Sequence, residues 1–322
     1  MISIAFQTNK RLSEYGALAR MAEAYGFSGV SVYNDMLYQP AWLPLLEMAR
    51  QTQRVQLGAS AVNPFTCHPI NIAGNMALLD EAANGRVYLG IARGAWLDFV
   101  GLYPAKPVAA LQDAISCVRH LWHQRTEPFV SEYFPLAGGD SLRWTITRPD
   151  IPILLGSWGE QTIRACLPHI QAVKLGGTAN PNAVRWLRGL VGREVEIVVG
   201  AVTVVDEDER DARRLARREV ALYLPVVAEL DRSLSIDPEL LSNLKKLAAE
   251  YDFAKAATYI SDELLSKFAF AGTPEQIMVQ TAVLLEAGAN RVEWGTPHGL
   301  TMDSGLRLLG EKVLPALIGK KE

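Results

Sequence analysis

The sequence predicts an α/β protein, a (β/α)8 TIM barrel with insertions. Three observations carry that expectation. Eight short apolar runs alternate with segments whose apolar residues recur at three- and four-residue spacing. The 322 residues contain no linker-like, low-complexity or repetitive stretch, which suits one continuous barrel domain over 1–322. The first strand is followed by "AFQTNKR", which lacks the glycine-rich turn that the runner-up, a doubly wound open sheet, would need.

In chain order, "ISIAF" is the first strand and "RLSEYGALARMAEAYGF" its helix. "GVSVYND" and "AWLPLLEMARQT" follow, then "VQLGASAV" and "HPINIAGNMALLDEAANG", the last helix ending on Gly85 as a C-cap. "VYLGIARG" is the fourth strand, with "AALQDAISCVRHLWHQ" as its helix and "EPFVSEYFPLAGGDSLRWTITR" as an irregular or hairpin insertion. "IPILLGSW" with "EQTIRACLP", "AVKLGG" with "PNAVRWLRGLV", and "EIVVGAVTVVD" complete seven strands. Residues 206–275 read as a mostly helical insertion before the eighth, "RVEWGTPHG", and the amphipathic "SGLRLLGEKVLPALIG" closes the chain. The charge run "DEDERDARRLARREV" reads as a solvated helix face.

Composition narrows the function. Hydrophobic residues at 49% and charged residues at 21% are enough for a large core and exclude a disordered chain. A net charge of −3 provides no basic surface for nucleic acid, so a small-molecule partner is expected. Cys67, Cys117 and Cys166 lack metal or disulfide spacing and read as structural thiols in a reducing cytoplasm. The N-terminal stretch has no export-signal pattern, and no run approaches the roughly 20 apolar residues of a membrane span. A soluble, cytoplasmic protein is expected.

In a barrel the chemistry sits just past the strand C-termini. Those positions hold Gln7, Asn34 and Asp35, Ser60 to Asn63, Arg93 to Trp96, Gly156 to Gly159, Gly176 to Thr178, Thr203, and Glu293 to His298. There is no His, Asp and Glu cluster for a metal. Gly156, Ser157, Gly159, Gly176, Gly177 and Thr178 form two loops whose N–H groups could receive a phosphate, unless glycine simply closes the turns. Trp96, Trp158 and Trp294 suit a planar ligand or pack between layers. Asp35 either accepts from a ligand or caps a helix. His68 and His298 sit beside prolines, as structural groups or as acids. The small residues Gly58 to Ala61 mark a bulge, or a place where a backbone or a ligand comes close.

"LGASAVNPFTCHP", "LLDEAANGRVYLGIARG", "AVKLGGTANP", "VVDEDERDARRLARREVALYLPVV" and "FAFAGTPEQ…EAGANRVEWGTPHGL" together resemble the bacterial luciferase-like superfamily. Within it the chain is most similar to the branch of coenzyme F420-dependent methylenetetrahydromethanopterin reductases and related oxidoreductases, over nearly its whole length. The resemblance implies a homodimer or higher homo-oligomer that binds F420, or alternatively FMN, at the strand ends. It implies a non-proline cis peptide at Ser60–Ala61, with Ala61–Val62 as the alternative. By residue matching it makes Asp35, Ser60, Ala61, Asn63, Gly94, Gly156, Ser157, Gly159, Gly176 and Gly177 cofactor contacts, to which the loop reading adds Thr178.

Gln7, Ala95, Trp96, Trp158, Trp294 and His298 are the expected substrate pocket. Gln7 and Ala95 stand where such reductases usually carry acids, which argues against methylenetetrahydromethanopterin itself. Met36 replaces a His common in the dehydrogenases of the family, and Cys67 a frequent Arg. The implied activity is hydride transfer between F420 and a small organic substrate, with a pterin-like one among the options. The alternatives are an FMN-dependent luciferase-like monooxygenase and a cofactor-binding protein without turnover. No catalytic residue is assigned.

Overall fold

The structure is a computed structural model that describes residues 1–319. Its strands are β1 (Ile2–Phe6), β2 (Gly29–Tyr33), β3 (Gln56–Ser60), β4 (Val87–Ala92), β5 (Ile153–Gly156), β6 (Ala172–Gly176), β7 (Glu196–Val205), β8 (Ala269–Gly272) and β9 (Arg291–Gly299). Helices separate the strands, and the sheet order is β6-β5-β4-β3-β2-β1-β9-β7-β8 with a further β6–β7 pairing. This is the (β/α)8 barrel, with β9 as its eighth strand. Contacts group the residues into two compact units, one of Phe6–Ala24 and Ser28–Val173, the other of Met1–Ala5, Tyr25–Phe27 and the chain from Lys174.

In the first unit β2 pairs with β3, β3 with β4 and β4 with β5, all parallel. Val30, Val32, Leu57, Leu89, Ile91, Ile153 and Leu155 are buried, as near-continuous apolar parallel strands require. The glycines of β3 and β4 serve this packing. A Cβ on Gly58 would fall 2.3 Å from the ring of Tyr88, and one on Gly90 would fall 1.8 Å from the carbonyl oxygen of Ala59. Part of the missing bulk at the end of β3 is therefore explained by its neighbour β4. The 127–148 insertion is irregular, with a single antiparallel bridge between Phe129 and Leu136. It is held by Arg148, which pairs with buried Asp80 and donates to the Val87 carbonyl at 2.9 Å.

In the second unit β9 pairs with β1 on one side and β7 on the other. The 206–275 region is helical as expected up to Phe268, but it ends in β8, which pairs with the second half of β7. A run of only four residues, squeezed between a helix and the Thr273–Gln276 capping box, has too little periodicity to be read as a strand. The final helix is α-helical over Met302–Leu308, widens to π over Leu309–Val313 and resumes at Leu314–Ile318. Pro315 lacks the N–H that would reach back four residues, and the preceding turn loosens so that Leu314 donates to Leu309.

Alternation along β9 points neighbours to opposite faces. Glu293 is ion-paired with Lys174 of β6 and accepts from the Ser3 hydroxyl of β1 at 3.3 Å, all three buried. A buried pair of this kind is costly to break by removing one partner. The sequence signal was the lone lysine inside the apolar "AVKLGG", but its partner lies 119 residues away.

Candidate active site

The first unit brings together the ends of β1 to β5. The Ser60–Ala61 peptide is cis, the first of the two positions the resemblance offered. Beyond it the chain returns to β4, with Val62 donating to the Gly90 carbonyl and Ala92 donating to Val62, both at 2.9 Å. Asn63 is buried, and its side-chain oxygen collects the N–H groups of Phe65 (3.1 Å) and Thr66 (2.9 Å) and the Thr66 hydroxyl (3.1 Å). Its amide nitrogen lies 3.0 Å from where a Cβ on Gly94 would sit, and Gly94 has φ +89°, so this position is closed to other residues on both counts.

A Cβ on Gly156 would lie 3.4 Å from that of Ala92 and 3.9 Å from that of Ala61. Ser60, Ala61, Ala92, Gly94 and Gly156 are all half-buried. The result is a partly open floor with almost no side-chain bulk, made from three adjacent strand ends.

On one side of this floor in the sheet order stands a fixed polar pair. The Gln7 amide nitrogen donates to the Asp35 carboxylate at 2.9 Å. Asp35 does not cap the following helix; Asn34 does the local work instead, accepting from the Ala41 N–H at 3.0 Å. On the other side, the Ser157 hydroxyl accepts from the Gly159 N–H at 3.1 Å at the entrance to the helix Glu160–Cys166, and Trp158 is half-buried.

Past β4 lies a cleft of about 320 Å³ lined by Arg93, Gly94, Trp96, Asp98 and Tyr103, among others. Trp96 has left-handed backbone (φ 54°) and is 48% exposed; Ala95 beside it is exposed as well. Tyr103 escaped the sequence reading because it follows a short 3-10 turn rather than a strand.

Three expected site residues lie elsewhere or are engaged otherwise. Trp294 is wholly buried, points to the face opposite Glu293, donates to the Thr281 hydroxyl at 3.2 Å and meets Phe27 edge to face at 5.8 Å. It packs between sheet and helix, because the residue next to an inward-facing one must face outward. His298 is also fully buried, with Nε2 3.1 Å from the Ala5 carbonyl oxygen. Thr178 is buried, donating to the Lys267 carbonyl and accepting from the Asn180 N–H, both at 3.1 Å.

The loop after β6 differs from expectation as well. The N–H groups of Gly177 and Thr178 both donate to the Gly200 carbonyl, at 2.7 and 3.2 Å, and that of Ala179 to Lys267 at 2.8 Å. These donors are taken by protein, and Gly176 at the strand end is exposed. His68 is a structural group: it caps the helix Pro69–Ala82, with Nδ1 accepting from Ile70, and packs on Phe134. Burial pushes the thiols of Cys117 and Cys166 up to about 11, which makes both poor nucleophiles. Among the described residues no group of three His, Cys, Asp or Glu could hold a metal.

Residues 3–291 match the sequence model of the luciferase-like monooxygenase family, and the chain belongs to that family of oxidoreductases. It is 24% identical to the 5,10-methylenetetrahydromethanopterin reductase of Archaeoglobus fulgidus, covering 98% of each chain. It is 25% identical to the F420-dependent glucose-6-phosphate dehydrogenase of Nakamurella multipartita, covering 96% of this chain and 94% of the relative. Among solved structures, the coenzyme F420-dependent tetrahydromethanopterin reductase of Methanopyrus kandleri superposes with a TM-score of 0.88 at 22% identity, covering 98% of this chain and 99% of the other.

Proposed function

We propose that this protein is an oxidoreductase that binds coenzyme F420 at the ends of β1 to β5 and works on a small organic substrate by hydride transfer. The observation that carries the reading is the half-exposed floor of Ser60, Ala61, Ala92, Gly94 and Gly156, beside a carboxylate held in place by Gln7. A floor without side-chain bulk fits a planar ring, and the Asp35 side chain fits a donor on its edge. When bound, the deazaflavin supplies the hydride chemistry.

The chain's own residues would do the rest. Ser60, Ala61 and Gly156 would back the ring, with Asn63 and Gly94 keeping the floor in shape. Asp35 would accept a hydrogen bond from the ring edge. Ser157 to Gly159 would receive the phosphate, now that the Gly177 and Thr178 donors are engaged elsewhere. The substrate would occupy the cleft of Arg93, Trp96 and Tyr103, whose aromatic walls favour a planar, pterin-like heterocycle and displace water. Holding substrate against cofactor is then the main catalytic contribution of the protein. We read the chain as one catalytic domain acting in the cytoplasm as a homodimer or higher homo-oligomer, with a size measurement by light scattering as the check on assembly.

The family's monooxygenase members favour FMN as the second reading, and the monooxygenase RslO1 of Streptomyces bottropensis shares the fold at a TM-score of 0.72. Fluorescence titration of the purified protein with F420 and with FMN separates the two. Preference for F420, with reduction of the bound cofactor by a donor in single turnover, is the expected result. Preference for FMN transfers the reading to the monooxygenase, binding of F420 with no reduction by a broad donor panel supports a protein without turnover, and binding of neither at micromolar concentration overturns all three.

A further inference from the structure

Past β4 the chain turns back tightly on itself. Trp96 and Gly101, both in left-handed backbone (φ 54° and 70°), bracket the 3-10 turn Leu97–Val100. The Trp96 carbonyl accepts from the Phe99 N–H at 3.1 Å, the Asp98 carbonyl from Gly101 at 3.0 Å and the Leu97 carbonyl from Leu102 at 2.9 Å. Leu97 is buried and pins the turn, while Trp96 is 48% and Tyr103 77% exposed. Large aromatic side chains held out in water by an ordered backbone mark a surface that meets a ligand.

Both aromatics line the cleft of about 320 Å³, and Leu102, Pro104 and Pro107 extend its apolar wall. The charged residues that line it are Arg93 and Asp98, both exposed. Among the described residues neither side chain has a hydrogen-bond or ion-pair partner, and the two do not pair with each other. Gly94 belongs to this cleft and to the small-residue floor at once, so a molecule in the cleft abuts the floor.

An unpaired guanidinium presents a planar fork of donors that matches a carboxylate two bonds at a time. The aromatic wall takes the face of a ring, and the fork beside it takes an acidic substituent on that ring. One arginine answers one negative charge; Asp98 repels a second, which disfavours a phosphate dianion or a diacid. We propose that Arg93 is the specificity-determining residue of this cleft and selects planar aromatic monocarboxylates, with the ring against Trp96 and Tyr103 and the carboxylate on the guanidinium. That such an acid is the substrate of hydride transfer rests on the F420 reading; its binding does not. The other source of the same chemistry is an acidic group of the cofactor itself, and the test separates the two.

The test is equilibrium binding to the full chain, by calorimetry at low ionic strength, of naphthoate, naphthamide and naphthyl phosphate, which share one ring system. The wild type should bind naphthoate about tenfold more tightly than naphthamide, by a margin that shrinks with added salt, and more tightly than naphthyl phosphate. Arg93→Gln should weaken naphthoate about tenfold and leave naphthamide unchanged. Arg93→Lys should restore part of the preference, since an ammonium keeps the charge without the fork. Asp98→Asn should tighten naphthoate about twofold, and Trp96→Ala should weaken naphthoate and naphthamide alike, about fivefold. Equal binding of naphthoate and naphthamide by the wild type, a preference for the phosphate, or a preference that survives Arg93→Gln overturns the proposal. Fluorescence titration with F420 then identifies the source of the acid: unchanged affinity in Arg93→Gln supports a substrate acid, and a tenfold loss assigns Arg93 to the cofactor and overturns the proposal. If naphthoate behaves as expected and neither F420 nor FMN binds the wild type, the carboxylate site stands and the cofactor reading fails; if F420 binds and naphthoate does not, the proposal fails and the cofactor reading stands.

Discussion

The loop after β5 and the loop after β6 look alike in sequence, "GSWG" against "GGTA", and differ in where their N–H groups go. In the first, the Gly159 N–H donates to the Ser157 hydroxyl within the loop itself. In the second, Gly177, Thr178 and Ala179 donate in succession to Gly200 and Lys267, and the Thr178 hydroxyl ties down the next N–H. A glycine-rich strand end is thus a candidate anion site only while its donors are not spoken for, and the accounting of backbone N–H groups decides which it is. The first loop keeps its place as a phosphate candidate. The second is scaffold.

The strongest way to break this contrast is Gly177→Ala. Gly177 has φ +76°, and a Cβ there would lie 2.8 Å from a Val227 methyl. We expect a loss of about 2–3 kcal/mol in stability by thermal or denaturant melting, with cofactor affinity per folded molecule unchanged. A fall in affinity at full stability would return the loop to the binding site. Ser157→Asp is the converse. An aspartate can still accept from the Gly159 N–H, so the fold should hold, while its charge opposes a phosphate and weakens F420 or FMN binding by about tenfold or more in a fluorescence titration. Unchanged affinity would remove the loop after β5 from the site.

Thr178→Val keeps the shape and deletes the hydroxyl that serves Lys267 and Asn180. A cost of about 1–2 kcal/mol in unfolding free energy, without effect on binding, is expected for a scaffold residue.

A third loop sharpens the point with the smallest effect. Glu23 gathers the N–H groups of Gln53, Arg54 and Val55 at 3.0, 2.6 and 2.9 Å. Partial burial raises the Glu23 carboxyl, but the three N–H groups and the Arg54 charge outweigh this and hold it below its ordinary value. Because the folded pKa is the lower one, its stabilisation is present above the unfolded value and is lost as pH falls through the folded pKa. Solvent screening keeps the effect to about 1 kcal/mol or less. Glu23→Gln should lower the melting temperature slightly at neutral pH and lose that difference in acid; a difference that persists at low pH would assign the effect to packing.

The comparison also shows what could be read in advance. The run "LGASAVNPFTCHP" carried the resemblance that located the cis Ser60–Ala61 bond and the small-residue floor; of the two readings of Asp35, the helix cap is set aside by the structure. What was not legible was how Gln7 and Asp35 would meet, because residues 28 apart share no local pattern. The same holds for Trp294, placed in the pocket by its position near a strand end and taken out of it by the face on which it sits.

The sequence by itself determined the order of strands and helices apart from β8, since apolar periodicity, caps and turn residues act over a few neighbours. It determined the family through the motifs those elements carry. Only the tertiary structure decided which donors of the loop after β6 are engaged, that Lys174 finds Glu293, and that Gln7 meets Asp35. Each of these is a bond between residues brought together by strand pairing and packing, and such partners are set by register across the sheet rather than by any local signal along the chain.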